Sequence, residues 1–225
     1  MTRPKTKILV DGGDPQETRR IKELLGFVDG QTTNPSLIAK NPHIKELVAS
    51  GHKLSNREEM DEYKKIVQTI SPLVGDAGVS IEVFSDEKTM AQEMFDQGRE
   101  MFSWIPNAYI KFPCTAEGLR AAQMSVELGM RINMTLCFSQ QQAAAVYAAT
   151  RGTKQPAYVS PFVGRLDDIG QNGSGTSSKH PQPGTPALLF CARNGAYNRT
   201  CQGLGTVGEQ QFPDARQTVS VQGFG

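Results

Sequence analysis

Apolar residues in this chain fall into two alternating patterns. Short runs of four to six, bounded by Gly, Pro or polar residues, are separated by longer segments in which apolar positions recur every three or four residues. The short runs are Lys7-Ile8-Leu9-Val10-Asp11, residues 79–84, residues 108–112, residues 131–136 and Ala157-Tyr158-Val159-Ser160. These read as buried strands, and a weaker run at residues 26–30 reads as a second strand after the first. The longer segments carry helical stripes: Ile21, Leu24 and Leu25; then Leu37, Ile38, Ile44, Leu47 and Val48 with a break at Pro42; then Met90, Met94 and Met101; then Leu119, Ala122, Val126 and Leu128. Start signals precede them. Pro15 and Pro35 suit first helical positions, Ser55 with Glu58 (or Asn56 with Glu59) can form a capping box, and Ser85 or Asp86, Thr115 and Ser139 can serve as N-caps. Gly26, Gly129 and Gly152 mark the stops.

Six strands thus alternate with helices, with most strand starts roughly 20 to 30 residues apart, the period of β/α units in a parallel sheet. A doubly wound sheet and a (β/α)8 barrel both satisfy this order. No G-x-G-x-x-G follows the first strand, which removes the main support for a dinucleotide-binding sheet. Each strand ends in polar residues: Asp11, Asn34, Glu82, Lys111, Asn133 with Thr135, and Ser160. In a barrel those ends converge on one mouth, where barrel enzymes keep their chemistry.

The pattern fades near residue 174. Residues 174–225 contain no isoleucine or methionine and one lysine, and no amphipathic stripe. Two stretches, residues 187–192 and 219–221, are apolar enough for strands. The chain therefore divides into a barrel portion, residues 1–173, and a tail, residues 174–225, whose composition buries little. A naturally flexible tail is one reading. A reading-frame shift near Gly173 is the other, and it implies that strands seven and eight are missing and that a six-stranded arc exposes two parallel edges. The expected fold is accordingly a TIM-type α/β barrel, incomplete, with about six β/α units and an irregular tail.

Composition narrows the function. Length (225 residues) suits one domain, and a net charge of +1 gives no electrostatic case for nucleic acid or an anionic membrane. The four cysteines show no C-x-x-C spacing, which argues against a zinc site or a disulfide scaffold and suits a reducing compartment. The polar N-terminus and the lack of a long apolar run lead us to expect a cytoplasmic protein. Within the fourth strand, one lysine, Lys111, stands among apolar residues and is followed by Phe112 and Pro113. Burial favours the neutral form of an amine, and a neutral amine can attack a carbonyl and form a Schiff base. A lysine that merely snorkels or pairs with a carboxylate is the alternative.

The stretches Asp29-Gly30-Gln31-Thr32-Thr33-Asn34-Pro35-Ser36-Leu37-Ile38, Tyr109-Ile110-Lys111-Phe112-Pro113, Asn133-Met134-Thr135-Leu136-Cys137-Phe138-Ser139 and Ser160-Pro161-Phe162-Val163-Gly164-Arg165 resemble the transaldolase family in order and spacing. The resemblance covers residues 7–173. It implies a (β/α)8 barrel that moves a dihydroxyacetone unit between sugar phosphates in the pentose phosphate pathway, with no metal or organic cofactor. By the same resemblance Lys111 is the Schiff-base lysine, Asp11 the carboxylate that takes the hydroxyl proton at the cleaved bond, and Glu82 with Thr135 the pair that holds a water. Asn34 and Asn133 are the amides for substrate hydroxyls, Ser160 a further positioning hydroxyl, Arg165 part of a phosphate clamp, and Thr33 and Phe162 lie in the substrate-binding motifs.

Each residue also has a plainer reading. Asp11 could cap the helix after it, Glu82 could be an ion-pair partner, Asn34 an N-cap, and Arg165 a partner of Asp167 or Asp168. Two departures stand out: the tail offers no counterpart of the family's phosphate-binding residues on strand seven, nor of its last helix, which covers the mouth or supports assembly into a homo-oligomer. Two other outcomes compete. One is the related lyase, a fructose 6-phosphate aldolase, which tends to lack the glutamate seen as Glu82 and to carry tyrosine at the position of Phe162. The other is an inactive, truncated or frameshifted family member.

Overall fold

Eight parallel strands pair in chain order, β1 to β8, and β8 returns to β1 to close a barrel. The computed structural model describes residues 6–155, 157–162, 187–192 and 218–222. The order is β1 (Lys7–Asp11), α1 (Pro15–Leu25), β2 (Gly30–Thr32), α2 (Pro35–Ile38), α3 (Pro42–Ala49), α4 (Asn56–Ile70), β3 (Gly78–Glu82) and α5 (Ala91–Phe102). Then follow β4 (Ala108–Pro113), α6 (Ala116–Glu127), β5 (Ile132–Cys137), α7 (Gln140–Ala149), β6 (Ala157–Pro161), β7 (Ala187–Ala192) and β8 (Thr218–Gln222). The six expected strand positions are all strands, curled into the larger part of the ring. The segments that connect β6 to β7 and β7 to β8, residues 163–186 and 193–217, lie outside the described residues.

The expected open edges are absent. The two apolar stretches of the tail form β7 and β8, which pair with β6 and β1 and so cover both edges of the six-stranded arc. Backbone hydrogen bonding explains this, because an unpaired parallel edge leaves a row of donors and acceptors that any short strand-forming segment can satisfy. The proposed boundary at residues 173 and 174 lies outside the described residues.

Three local readings change. The second strand is Gly30–Thr32, later than residues 26–30, because Gly26 is consumed as the left-handed C-cap of α1 (φ 79°) and the ladder with β1 begins at the pair Leu9 and Gly30. Asp29, just before it, turns its carboxylate onto the Ile8 N–H at 2.7 Å. Neither Ser85 nor Asp86 caps α5. Asp86 instead accepts from Lys88 N and Thr89 Oγ1 in its own turn, and α5 starts after Met90, whose N–H is held by Glu93. Finally, Leu24, Leu25, Val48, Met90 and Leu128 of the expected stripes are exposed, Leu24 most of all at 80%. The other signals hold: α2 and α3 separate before Pro42, and the Ser55–Glu58 pair forms the capping box of α4.

Alternation along the strands builds two apolar layers. Val79 and Ile81 of β3, Ile110 and Phe112 of β4, Ile132 and Met134 of β5 and Val159 of β6 face the helices and form the main core with Met94, Met101, Ala121 and Ala122. The opposite faces of the same strands point inward. There Leu9, Ala77, Tyr109 and Tyr158 form a second, small cluster, in which the two tyrosine rings stack at 4.5 Å. This cluster floors the barrel interior two residues below Asp11, Lys111 and Ser160.

The helix after β4 is docked tightly on the end of its strand. Thr115 Oγ1 caps α6 by accepting from Gly118 N at 3.0 Å, and a Cβ on Gly118 would lie 1.9 Å from the Pro113 carbonyl oxygen. No rotamer relieves a clash with backbone, so Gly118→Ala is expected to cost about 2–3 kcal/mol of stability. Urea unfolding checks this, and an unchanged midpoint would refute the close approach.

Candidate active site

Register places the candidate residues side by side. Glu82 of β3 pairs with Lys111 of β4, Lys111 with Asn133 of β5, and Asn133 with Tyr158 of β6. Because Ile110 and Phe112 face the helices, Lys111 points inward, 6% exposed, above the tyrosine floor. Its Nζ lies 3.1 Å from Glu82 Oε2 and donates to the Thr33 carbonyl at 3.2 Å. A buried ammonium needs such partners, since desolvation without them costs several kcal/mol. The ion-pair reading of Glu82 is therefore correct as geometry, and its partner is the lysine itself.

A cavity of about 680 Å³ opens above this pair. Lys111, Glu82, Thr135, Asn34 and Phe162 line it, with Lys40 at the same surface. Asn34 also caps α2, its Oδ1 accepting from Leu37 N at 2.9 Å, so the residue that serves as the N-cap also lines the cavity. Phe162 packs edge-on against Phe138 with ring centres 5.5 Å apart.

Thr135 carries the most informative polar atom. It is 1% exposed, it lines the cavity, and among the described residues its Oγ1 has no hydrogen-bond partner. A buried hydroxyl without a partner costs about 1–3 kcal/mol, so a polar group entering the cavity would find a hydrogen-bond partner here. The next residue, Leu136, has φ 59°, in the left-handed region that a branched side chain seldom adopts, and the β5–β6 register shifts between Met134 and Cys137. The bulge costs about 1 kcal/mol of backbone strain and turns the chain at the rim of the site.

Of the remaining predicted residues, Asp11, Thr33, Asn133 and Ser160 are not part of the cavity lining. Asp11 is buried on β1 and accepts from Thr32 Oγ1 at 2.6 Å; Asp14, not Asp11, caps α1. Asn133 bridges the interior, donating to Ser80 Oγ at 2.9 Å and accepting from Ser160 Oγ at 2.9 Å. Thr33 offers its carbonyl to Lys111 and donates its hydroxyl proton to the Ser80 carbonyl at 2.8 Å. Arg165 lies outside the described residues.

Three participants escaped the sequence reading. Ser80 and Thr32 hold Asn133 and Asp11, and Tyr63 of α4 reaches Thr33 Oγ1 at 2.6 Å and accepts the Glu82 N–H at 3.1 Å. Ser80 was signalled by being polar at an inward position of an apolar strand. Tyr63 carried no signal, since it continues the helical stripe of Ile66, Val67 and Ile70. Burial above all, with the charges of Glu82 and Asp11, pushes the Tyr63 phenol well above its usual range. Cys137, at the end of β5, is likewise raised by its hydrogen bond to Cys114 and by burial.

The family model for transaldolase/fructose-6-phosphate aldolase matches residues 8–201. A probable transaldolase of Dehalococcoides mccartyi is 39% identical over 167 residues, which are 74% of this chain and 65% of the relative. One from Citrifermentans bemidjiense is 40% identical over 169 residues, 75% of this chain and 66% of its own. Probable transaldolase 1 of Bacillus cereus is 39% identical over 167 residues, again 74% and 65%. The matched chain thus spans just under two thirds of the length of these relatives.

The orphaned hydroxyl gives a stability test that needs no substrate. Thr135→Val keeps the shape and removes the unpaired group, so it is expected to raise stability by about 1 kcal/mol. A lower melting temperature for this variant would mean that the hydroxyl already has a partner in the resting protein.

Proposed function

The chain belongs to the transaldolase/fructose-6-phosphate aldolase family, and from that premise we propose that it is a Schiff-base transaldolase, moving a dihydroxyacetone unit between sugar phosphates. The observation that carries the proposal is the Lys111 amine, held in a barrel mouth 3.1 Å from a carboxylate, beneath a cavity that also exposes an unpartnered buried hydroxyl.

The chemistry follows from those groups. Glu82 accepts a proton from Nζ, and the neutral amine adds to the ketose carbonyl to give a carbinolamine. Loss of water, with its protons handled by a water held between Glu82 and Thr135, leaves an iminium. Asp11 then removes the proton from the hydroxyl on the carbon beyond the bond to be broken. That carbon–carbon bond cleaves, its electron pair moves toward the iminium nitrogen, and an aldehyde leaves while an enamine stays on Lys111. Addition of the enamine to an acceptor aldehyde reverses these steps. Asn34, Asn133 and Ser160 align substrate hydroxyls, Thr33 and Phe162 shape the site around them, and Arg165 grips phosphate.

Two features favour transfer over simple aldol cleavage: a glutamate beside the lysine, and Phe162 where a water-binding tyrosine would promote release. The test is borohydride reduction in the presence of fructose 6-phosphate. We expect a three-carbon adduct on the Lys111 peptide, lost in Lys111→Ala, with transfer to an acceptor aldehyde falling roughly a thousandfold or more. Rapid release of free dihydroxyacetone without acceptor would assign the lyase instead. No adduct on the unaltered chain would assign an inactive member of the family.

A further inference from the structure

Tyr63 sits on α4 in the layer between helices and sheet, yet its hydroxyl ends between β2 and β3 at the barrel mouth. Its ring is fully buried and held edge-on by Phe84 at 6.1 Å and Trp104 at 5.9 Å. The direction of its hydrogen bonds can be assigned. The hydroxyl of Thr33 has one proton and donates it to the Ser80 carbonyl, so the 2.6 Å contact with Tyr63 is one in which Tyr63 donates. The Tyr63 oxygen in turn accepts the Glu82 N–H at 3.1 Å.

This chain of bonds has a structural consequence. The ladder pairs of β2 and β3 end at Thr32 and Ser80, and a last backbone bond runs from Thr33 N to Ser80 O at 2.9 Å. Past it, the phenol oxygen takes the place of a backbone acceptor for Glu82. Thr33 and Glu82 are also two groups that hold Lys111 Nζ, through the Thr33 carbonyl and the Glu82 carboxylate.

We propose that Tyr63 is a positioning residue for Lys111. Its hydroxyl is an added rung between β2 and β3 that sets the separation of the Thr33 carbonyl and the Glu82 carboxylate, and so the aim of the amine toward the cavity. Burial keeps the phenol protonated, so the donor is retained across the whole working pH range. The inference deepens the Schiff-base reading and rests on Lys111 being the reacting amine.

The test compares Tyr63→Phe with Val67→Ala, a buried truncation one turn along the same helix that leaves these hydrogen bonds intact. The probe is pyridoxal 5′-phosphate with borohydride, with labelling of Lys111 followed by peptide mass at matched folded fraction. Tyr63→Phe is expected to slow Lys111 labelling at least roughly fivefold and to lower kcat for fructose 6-phosphate about tenfold, with KM within about twofold. Val67→Ala should leave both rates within about twofold. Labelling and kcat within twofold of the parent in Tyr63→Phe, or an equal loss in Val67→Ala, would overturn the proposal. If the parent does not turn over fructose 6-phosphate, the transaldolase reading fails, while the labelling comparison still decides the role of Tyr63.

Discussion

A charged side chain inside a barrel is the constraint from which the rest of this structure follows. Burying an ammonium is costly unless carboxylate and carbonyl oxygens replace its water. Lys111 finds both, from Glu82 on the next strand and from Thr33 just past the end of β2. Those two groups must come from different strands, so the pair can form only when β2, β3 and β4 are in their proper register. The polar centre thereby ties the site to the sheet, and a slip of one residue would send Lys111 into the apolar layer.

The two apolar layers make that centre affordable. The outer layer packs sheet against helices and supplies most of the burial, while the inner cluster around the stacked tyrosines closes the barrel from below. With the floor sealed, the polar groups above it look toward the mouth. The bulge at Leu136 and the orphaned Thr135 hydroxyl lie at that mouth, where local stability has been given up. Closure by β7 and β8 completes the wall between β6 and β1.

Much of this was legible in the residues. Alternating strands and helices, with polar residues at every strand end, pointed to a parallel sheet with its chemistry on one side, and the apolar neighbours of Lys111 pointed to its burial. Glu82, Thr135 and Asn34 were identified as neighbours of the lysine and share its cavity. Element edges were less legible where one residue could serve two purposes. Gly26 could begin a strand or end a helix, and the left-handed backbone of the cap decided it. Asp86 could cap a helix, but its own turn used its carboxylate first.

Local order alone determined the alternation of strands and helices, most helix starts and stops, and the polar residues at the strand ends, because these depend on side-chain period and backbone capping within a few positions. Only the folded chain decided that two short apolar stretches in an otherwise polar tail would close the ring, that Asn133 would be held by Ser80 and Ser160, and that a helix tyrosine would reach the end of β3. The physical reason is the same in each case. Hydrogen bonds between residues 19 to 53 positions apart, and the pairing of Lys7 with Thr218 from opposite ends of the barrel sequence, depend on where the backbone carries their partners, and no local pattern encodes that distance.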